Sequence, residues 1–101
     1  MGQTDCMYEL GSIAYEVKNI SAALEWFMDA SDLGHYNATL KCAELFQINY
    51  QDFHADYKES IKYYKKAIKM LESGEVVRRN KSYEIERYNE IIKKLELKIE
   101  D

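Results

Sequence analysis

Asp52, His54 and Asp56 form the tightest group of metal-capable side chains in the sequence, two carboxylates and an imidazole at alternate positions. Such donors could touch a divalent cation. Three ligands so close together in one polar stretch make a poor cage, so the stretch is expected to be a solvent-facing loop and no metal is expected. Cys6 and Cys42 stand 36 positions apart, with no C-x-x-C or H-x3-H pair near either. They are expected to be two reduced, buried thiols acting as small apolar residues. His35, directly after Gly34, is expected at a helix end and not as a ligand. No nucleophile with a nearby base and no glycine-rich phosphate loop occurs, so neither catalysis nor a cofactor is expected. Lys58, Lys62, Lys65, Lys66 and Lys69 make a basic strip that Arg78, Arg79 and Lys81 extend, the surface that the alternative of weak nucleic-acid binding would use. The overall charge of −4 and the absence of a recognition motif make a solvated lysine face the ordinary expectation.

The elements that must position these residues follow from composition. The chain has 101 residues, 47% apolar and 32% charged, with four glycines and no proline. That is one domain, too apolar for a disordered tail and too poor in turn residues for an all-β sandwich. No apolar run approaches the ~18 residues of a membrane span, and Met1-Gly2-Gln3-Thr4-Asp5 lacks the basic start of a secretion signal. Cys6 occupies the sixth position, where a myristoylation signal has Ser or Thr. A soluble, cytoplasmic protein without membrane insertion is expected.

Apolar spacing at threes and fours predicts five helices. The first runs over about Thr4 to Val17, burying Cys6, Leu10, Ile13, Ala14 and Val17. The second starts at Asn19 or Ser21, carries Ala23, Leu24, Trp26, Phe27, Ala30 and Leu33, and stops at Gly34. The third is capped by Asn37 and runs through Leu40, Cys42, Ala43, Leu45 and Phe46. After a loop over 49–56, the fourth spans Tyr57 to Ser73 and ends at Gly74, and the fifth runs from Ser82 to the end. The helices repeat. Glu25–Ala30 (EWFMDA) aligns with Lys62–Ala67 (KYYKKA) at an offset of 37, and Cys6, Leu10 and Gly11 align with Ala38, Cys42 and Ala43 at an offset of 32. The longer loop before the fourth helix absorbs the difference.

Ala23, Trp26, Phe27, Ala30, Ser31 and Gly34 reproduce the small, aromatic-pair, small-pair and glycine pattern of the second helix of a Sel-one-like repeat. Ala38 and Cys42-Ala43 follow as the opening of the next unit, then Ser60, Tyr63, Tyr64 and Ala67. Over about Cys6 to Leu71 the chain resembles that family, a subclass of the tetratricopeptide-type helical hairpins. It departs where Ile68 and Leu71 replace a small residue and the glycine, and where Cys6 replaces the opening Ala. An ordinary tetratricopeptide repeat, or the three-helix domain that binds the tails of membrane-remodelling complexes, would look similar over Lys58 to Leu97; an unrelated bundle with an aromatic core stripe is the remaining alternative.

The resemblance implies an all-α, right-handed array of antiparallel helix hairpins, about two repeats (4–34 and 37–74) in a single domain. Small residues let paired helices approach, and aromatic pairs fill the seams. Two repeats are too few to stand alone, so the fifth helix (82–101) is expected to cap the array through Ile85, Tyr88, Ile92, Leu95 and Ile99. Ile91 and Leu97 widen that stripe beyond a strict coiled-coil seam; used otherwise, it would zip two copies into a homodimer. No polar cap guards the other end, as if it were one end of a longer array.

The resemblance also places ligands on the concave surface of the first helices. There Asp5, Tyr8, Glu9, Ser12 and Glu16 would face Leu40, Lys41 and Glu44 across a groove that grips an extended or helical peptide. The expected function is a non-catalytic protein-interaction adaptor or scaffold. Self-assembly or tail binding through the fifth helix, a weak nucleic-acid binder and a regulatory domain of an enzyme are the alternatives. The charge is uneven: nine acidic against two basic residues before Lys58 and nine against twelve from there on, nets of −7 and +3. Such a division would steer a partner of complementary charge.

Overall fold

The computed structural model describes residues 3–49, 54–74 and 79–100. Among these there are five helices and no strand: α1 (Gln3–Glu16), α2 (Ile20–Asp32), α3 (Tyr36–Leu45), α4 (Tyr57–Ser73) and α5 (Lys81–Glu100). Each packs on the next, so α1 with α2 and α3 with α4 form two hairpins and α5 lies against α4. The result is a thin body of 41 × 33 × 18 Å, two helix layers set about 10 Å apart. No described helix is long and apolar enough to cross a membrane.

Side chains from the flanking residues start three of the helices. Asn19 Oδ1 accepts from the Ala22 amide at 3.2 Å and Asp56 Oδ1 from the Glu59 amide at 3.2 Å. The cap of α3 is His35 and not Asn37: His35 Nδ1 accepts from the Ala38 amide at 3.1 Å. Gly34 is the reason. Its φ of +93° turns the chain sharply enough that the Gly34 and His35 amides close α2 on the Ser31 and Ala30 carbonyls. His35 is thereby left at the head of α3, two positions early. Gly74, at φ +85°, ends α4 in the same left-handed conformation.

Ala23, Ala30, Ala38, Ala43 and Ala67 are all fully buried. Without bulk beyond Cβ, they let the helix axes close in while Phe27, Tyr63, Tyr64 and Leu71 fill the seams. Two polar threads cross the core. Ser60 Oγ donates to the Ala43 carbonyl at 2.6 Å, tying α4 to α3. Lys66 Nζ donates to the Ser31 carbonyl (2.9 Å) and Oγ (3.0 Å), Ser31 and Thr39 hydroxyls meet at 2.7 Å, and Thr39 donates to the His35 carbonyl at 3.0 Å. A chain of donors in one direction, Lys66 to Ser31 to Thr39 to His35, satisfies every member and binds the end of α2 to α3 and α4. Lys66 is therefore a structural tie and not part of a solvated lysine face.

The α5 stripe is used within the chain. Tyr88, Ile92 and Leu95 are buried, Ile85 and Ile91 are half-buried, and Leu97 and Ile99 are exposed. The Tyr88 ring lies 5.6 Å from that of Tyr64, and its hydroxyl meets the Tyr36 hydroxyl at 3.3 Å. α5 is a cap, as its stripe predicts.

The apolar face of α1 is a correction to the sequence expectation. Cys6, Leu10, Ile13 and Val17 are exposed, Val17 at 71%, while α1 packs through Gly11, Met7 and Ala14. Among the described residues nothing packs on the side of α1 equivalent to the one that α3, lying between α2 and α4, buries through Ala38, Cys42 and Leu45. Cys6 is thus an open thiol and Cys42 a wholly buried one. Titration of the native protein with a thiol-reactive disulfide is expected to consume Cys6 at once. Cys42 should react only on denaturation; two fast thiols would contradict this packing.

Burial pushes the Cys42 thiol from 9.0 up to about 12 and the Tyr63 and Tyr64 phenols from 10.0 up to about 12. For Tyr63 the negative charges of Asp32 and Glu59 add to the effect, and for Tyr64 that of Glu44 does. In the unfolded chain these groups release their protons near 9 and 10. Between pH 9 and 12 the unfolded state therefore binds fewer protons than the folded one, and stability falls as pH rises. The slope reaches about 1.4 kcal/mol per pH unit for each group. Below pH 8 all three are protonated in both states and contribute no pH dependence. Thermal melts should decline from pH 9 upward, and Cys42→Ala should remove the earliest part of that decline.

Candidate partner-binding groove

α1 and α3, the first helices of the two hairpins, flank a concavity of about 550 Å³. On α1, Tyr8, Ser12, Tyr15 and Glu16 recur at intervals of four, three and one, which puts them on one side of the helix. On α3, Lys41, Glu44 and Leu45 do the same, and Ile48 continues the row past the helix end. Phe27 of α2 closes the floor.

Tyr8 is held between two rings. Its ring stacks on the His35 imidazole at 4.8 Å and lies 5.5 Å from the Phe27 ring. His35 is in turn fixed from both nitrogens, Nδ1 by the Ala38 amide and Nε2 by Asp5 Oδ1 at 3.4 Å. Ser12 donates to the carbonyl of Tyr8 at 3.0 Å, so its hydroxyl is occupied within its own helix. At the rim, Lys41 Nζ and Glu44 Oε1 stand 3.8 Å apart, both partly exposed, and Glu16 is exposed with no ion-pair partner among the described residues. An apolar floor with a net negative rim suits an apolar or aromatic side chain followed by a basic one.

Of the residues that the sequence places in a groove, the structure brings Tyr8, Ser12, Glu16, Lys41 and Glu44 together. Asp5 lies against His35, Glu9 is exposed, and Leu40 is half-buried on the core. One position along a helix turns the side chain by about 100°, which separates Glu9 from Tyr8 and Leu40 from Lys41. Tyr15, Phe27, Leu45 and Ile48 join the lining. The spacing of Tyr15 from Tyr8, seven positions on, is the one signal in the sequence that points to any of them.

The other expected sites divide. Lys62, Lys65, Lys66 and Lys69 border a shallower hollow of about 380 Å³ with Asp32 and Tyr63. Lys62 lies near Glu59 at 4.0 Å, and Arg79 and Lys81 are exposed, while Arg78 falls outside the described residues. His54 is exposed and Asp56 caps α4; Asp52 also lies outside the described residues. Among the described residues no three His, Cys, Asp or Glu side chains come close enough to hold a metal ion. Compared with protein-family models, curated proteins and solved structures, the chain matches none of them.

Proposed function

We propose that the protein is a non-catalytic interaction module built from two Sel-one-like hairpins, an adaptor that binds a peptide or helix of a partner protein in the groove between α1 and α3. The observation that carries this reading is the groove itself: an apolar floor of Phe27, Leu45 and Ile48, a clamped Tyr8, and Glu16 and Glu44 at the rim. Its preferred peptide carries a large apolar residue beside Lys or Arg, the first seated on the floor and the second held by the carboxylates. A cytoplasmic location fits two cysteines without a disulfide, one of them an exposed thiol.

Selection from a displayed library of random short peptides tests the proposal. The native protein should enrich sequences pairing an apolar residue with a basic one, and Tyr8→Ala should lose that enrichment. Glu44→Lys should retain the apolar preference and abandon the basic one. Enrichment unaltered by either variant would place the binding surface elsewhere.

A further inference from the structure

The two hairpins present opposite chemistry at equivalent positions, and the difference falls at the open end of the array. Leu10 and Ile13 of α1 correspond to Cys42 and Leu45 of α3 at the offset of 32, and Trp26 and Asp29 of α2 to Tyr63 and Lys66 of α4 at the offset of 37. α3 packs on both α2 and α4, so Cys42 and Leu45 are 0% and 4% exposed and Tyr63 is 5% exposed. Leu10, Ile13 and Trp26 are 42%, 58% and 37% exposed. Tyr63 stacks on Phe46 at the end of α3, ring centroids 5.8 Å apart, and Trp26 stands at the matching position of α2. The exposed residues thus belong to one face, the one that a preceding helix would cover.

Charge says what kind of helix. In the second hairpin Lys66 reaches back to the preceding helix, donating to the Ser31 carbonyl and approaching Asp32 at 4.0 Å. Its counterpart in the first hairpin is Asp29, which has no ion-pair partner among the described residues. A helix lying on this face would therefore meet a carboxylate where the internal seam has an ammonium. α1 adds Glu9 and Glu16 and carries no basic residue. Two copies joined at this face would set carboxylates against carboxylates. The opposite end of a second copy offers no continuous stripe, because α5 uses its apolar face on α4 and leaves Tyr83 about 21 Å along the helix from Leu97, with Ile99 on the other side of the helix from Leu97.

We propose that Leu10 and Ile13 of α1 and Val17 just past its end, with Trp26 and Asp29 of α2, form a docking face for an amphipathic helix of another protein that bears Lys or Arg beside its apolar stripe. The helix adds to the end of the array as a further layer. This face is separate from the groove, and Tyr8→Ala leaves it intact.

Trp26 is the sole tryptophan, so its fluorescence reports occupancy directly. The probes are a synthetic amphipathic helical peptide of about five turns with a leucine stripe flanked by lysines, and its twin with glutamate for lysine. The lysine peptide should shift Trp26 emission to shorter wavelength and shield it from acrylamide, saturably, and the glutamate twin should not. Ile13→Glu, an exposed change that should leave the circular dichroism and melting unaltered, should weaken the lysine peptide by about tenfold or more. Asp29→Lys should shift the preference toward the glutamate twin. Equal response to both peptides, or binding indifferent to Ile13→Glu, would overturn the proposal. So would a Trp26 shift that tracks protein concentration without peptide and sediments as a dimer, since the occupant would then be a second copy.

Discussion

A chain ended after Asn80 is expected to lose cooperative folding. α5 is one helix of five, yet it buries Tyr88, Ile92 and Leu95 to 8%, 6% and 2% exposure. Each such side chain contributes about 1.5–3 kcal/mol of burial, and the α4 face beneath them, Tyr64 included, loses its cover as well. The ordering entropy of the helix offsets part of this. The remainder is still large beside the roughly 5–15 kcal/mol that stabilises a domain, and the two hairpins that would be left fall short of the three repeats that stand by themselves. The truncated protein should bind a dye for exposed apolar surface and melt over a broad range without a defined midpoint. A milder variant isolates the packing: Leu95→Ala should cost about 2–5 kcal/mol, lowering the melting midpoint by about 8–40 °C. A truncated chain with a sharp melt near that of the full chain would show that the hairpins carry their own stability and that α5 is an appendage.

The helices are legible in the sequence because nothing interrupts their periodicity. There is no proline, and Gly34 and Gly74 stand at hairpin ends in the left-handed conformation that glycine favours. Register at a helix start is harder to read, because His35 caps through a ring nitrogen while Asn37 is the more familiar capping residue. α1 marks a different limit. Cys6, Leu10, Ile13 and Val17 have the spacing of a buried stripe, but spacing says only that a face is apolar, and whether a neighbour exists to cover it depends on what the rest of the chain supplies. In the groove, Tyr8, Ser12 and Glu16 are legible as one side of a helix. Phe27 and Leu45 are not, because a floor residue and a core residue obey the same pattern. Lys66 is hidden for the converse reason: it falls in step with Lys62 and Lys69, and only the packed structure shows it reaching Ser31.

Gly11→Ala is expected to destabilise the protein although alanine is the better helix former. In an exposed helix the exchange would gain about 1 kcal/mol. Here a Cβ on Gly11 would lie 2.6 Å from Cε1 and 2.8 Å from Cδ1 of Phe27. Phe27 is 1% exposed, with the Tyr8 ring 5.5 Å away, so it has little room to withdraw. Overpacking of this kind costs about 1–3 kcal/mol, enough to reverse the sign of the propensity gain. Phe27→Ala alone should cost more, about 3–5 kcal/mol, and should deepen the groove whose floor this ring forms. The two positions should be strongly coupled. In a Phe27→Ala background everything beyond Cβ is gone, and Gly11→Ala should then stabilise by about 1 kcal/mol, its ordinary helix value. A double-mutant cycle measured by urea denaturation should return an interaction energy of about 1–3 kcal/mol. Additive effects would mean that α1 and α2 can slide apart without loss, and the close approach that glycine permits at this crossing would then have no part in holding Tyr8 over the groove.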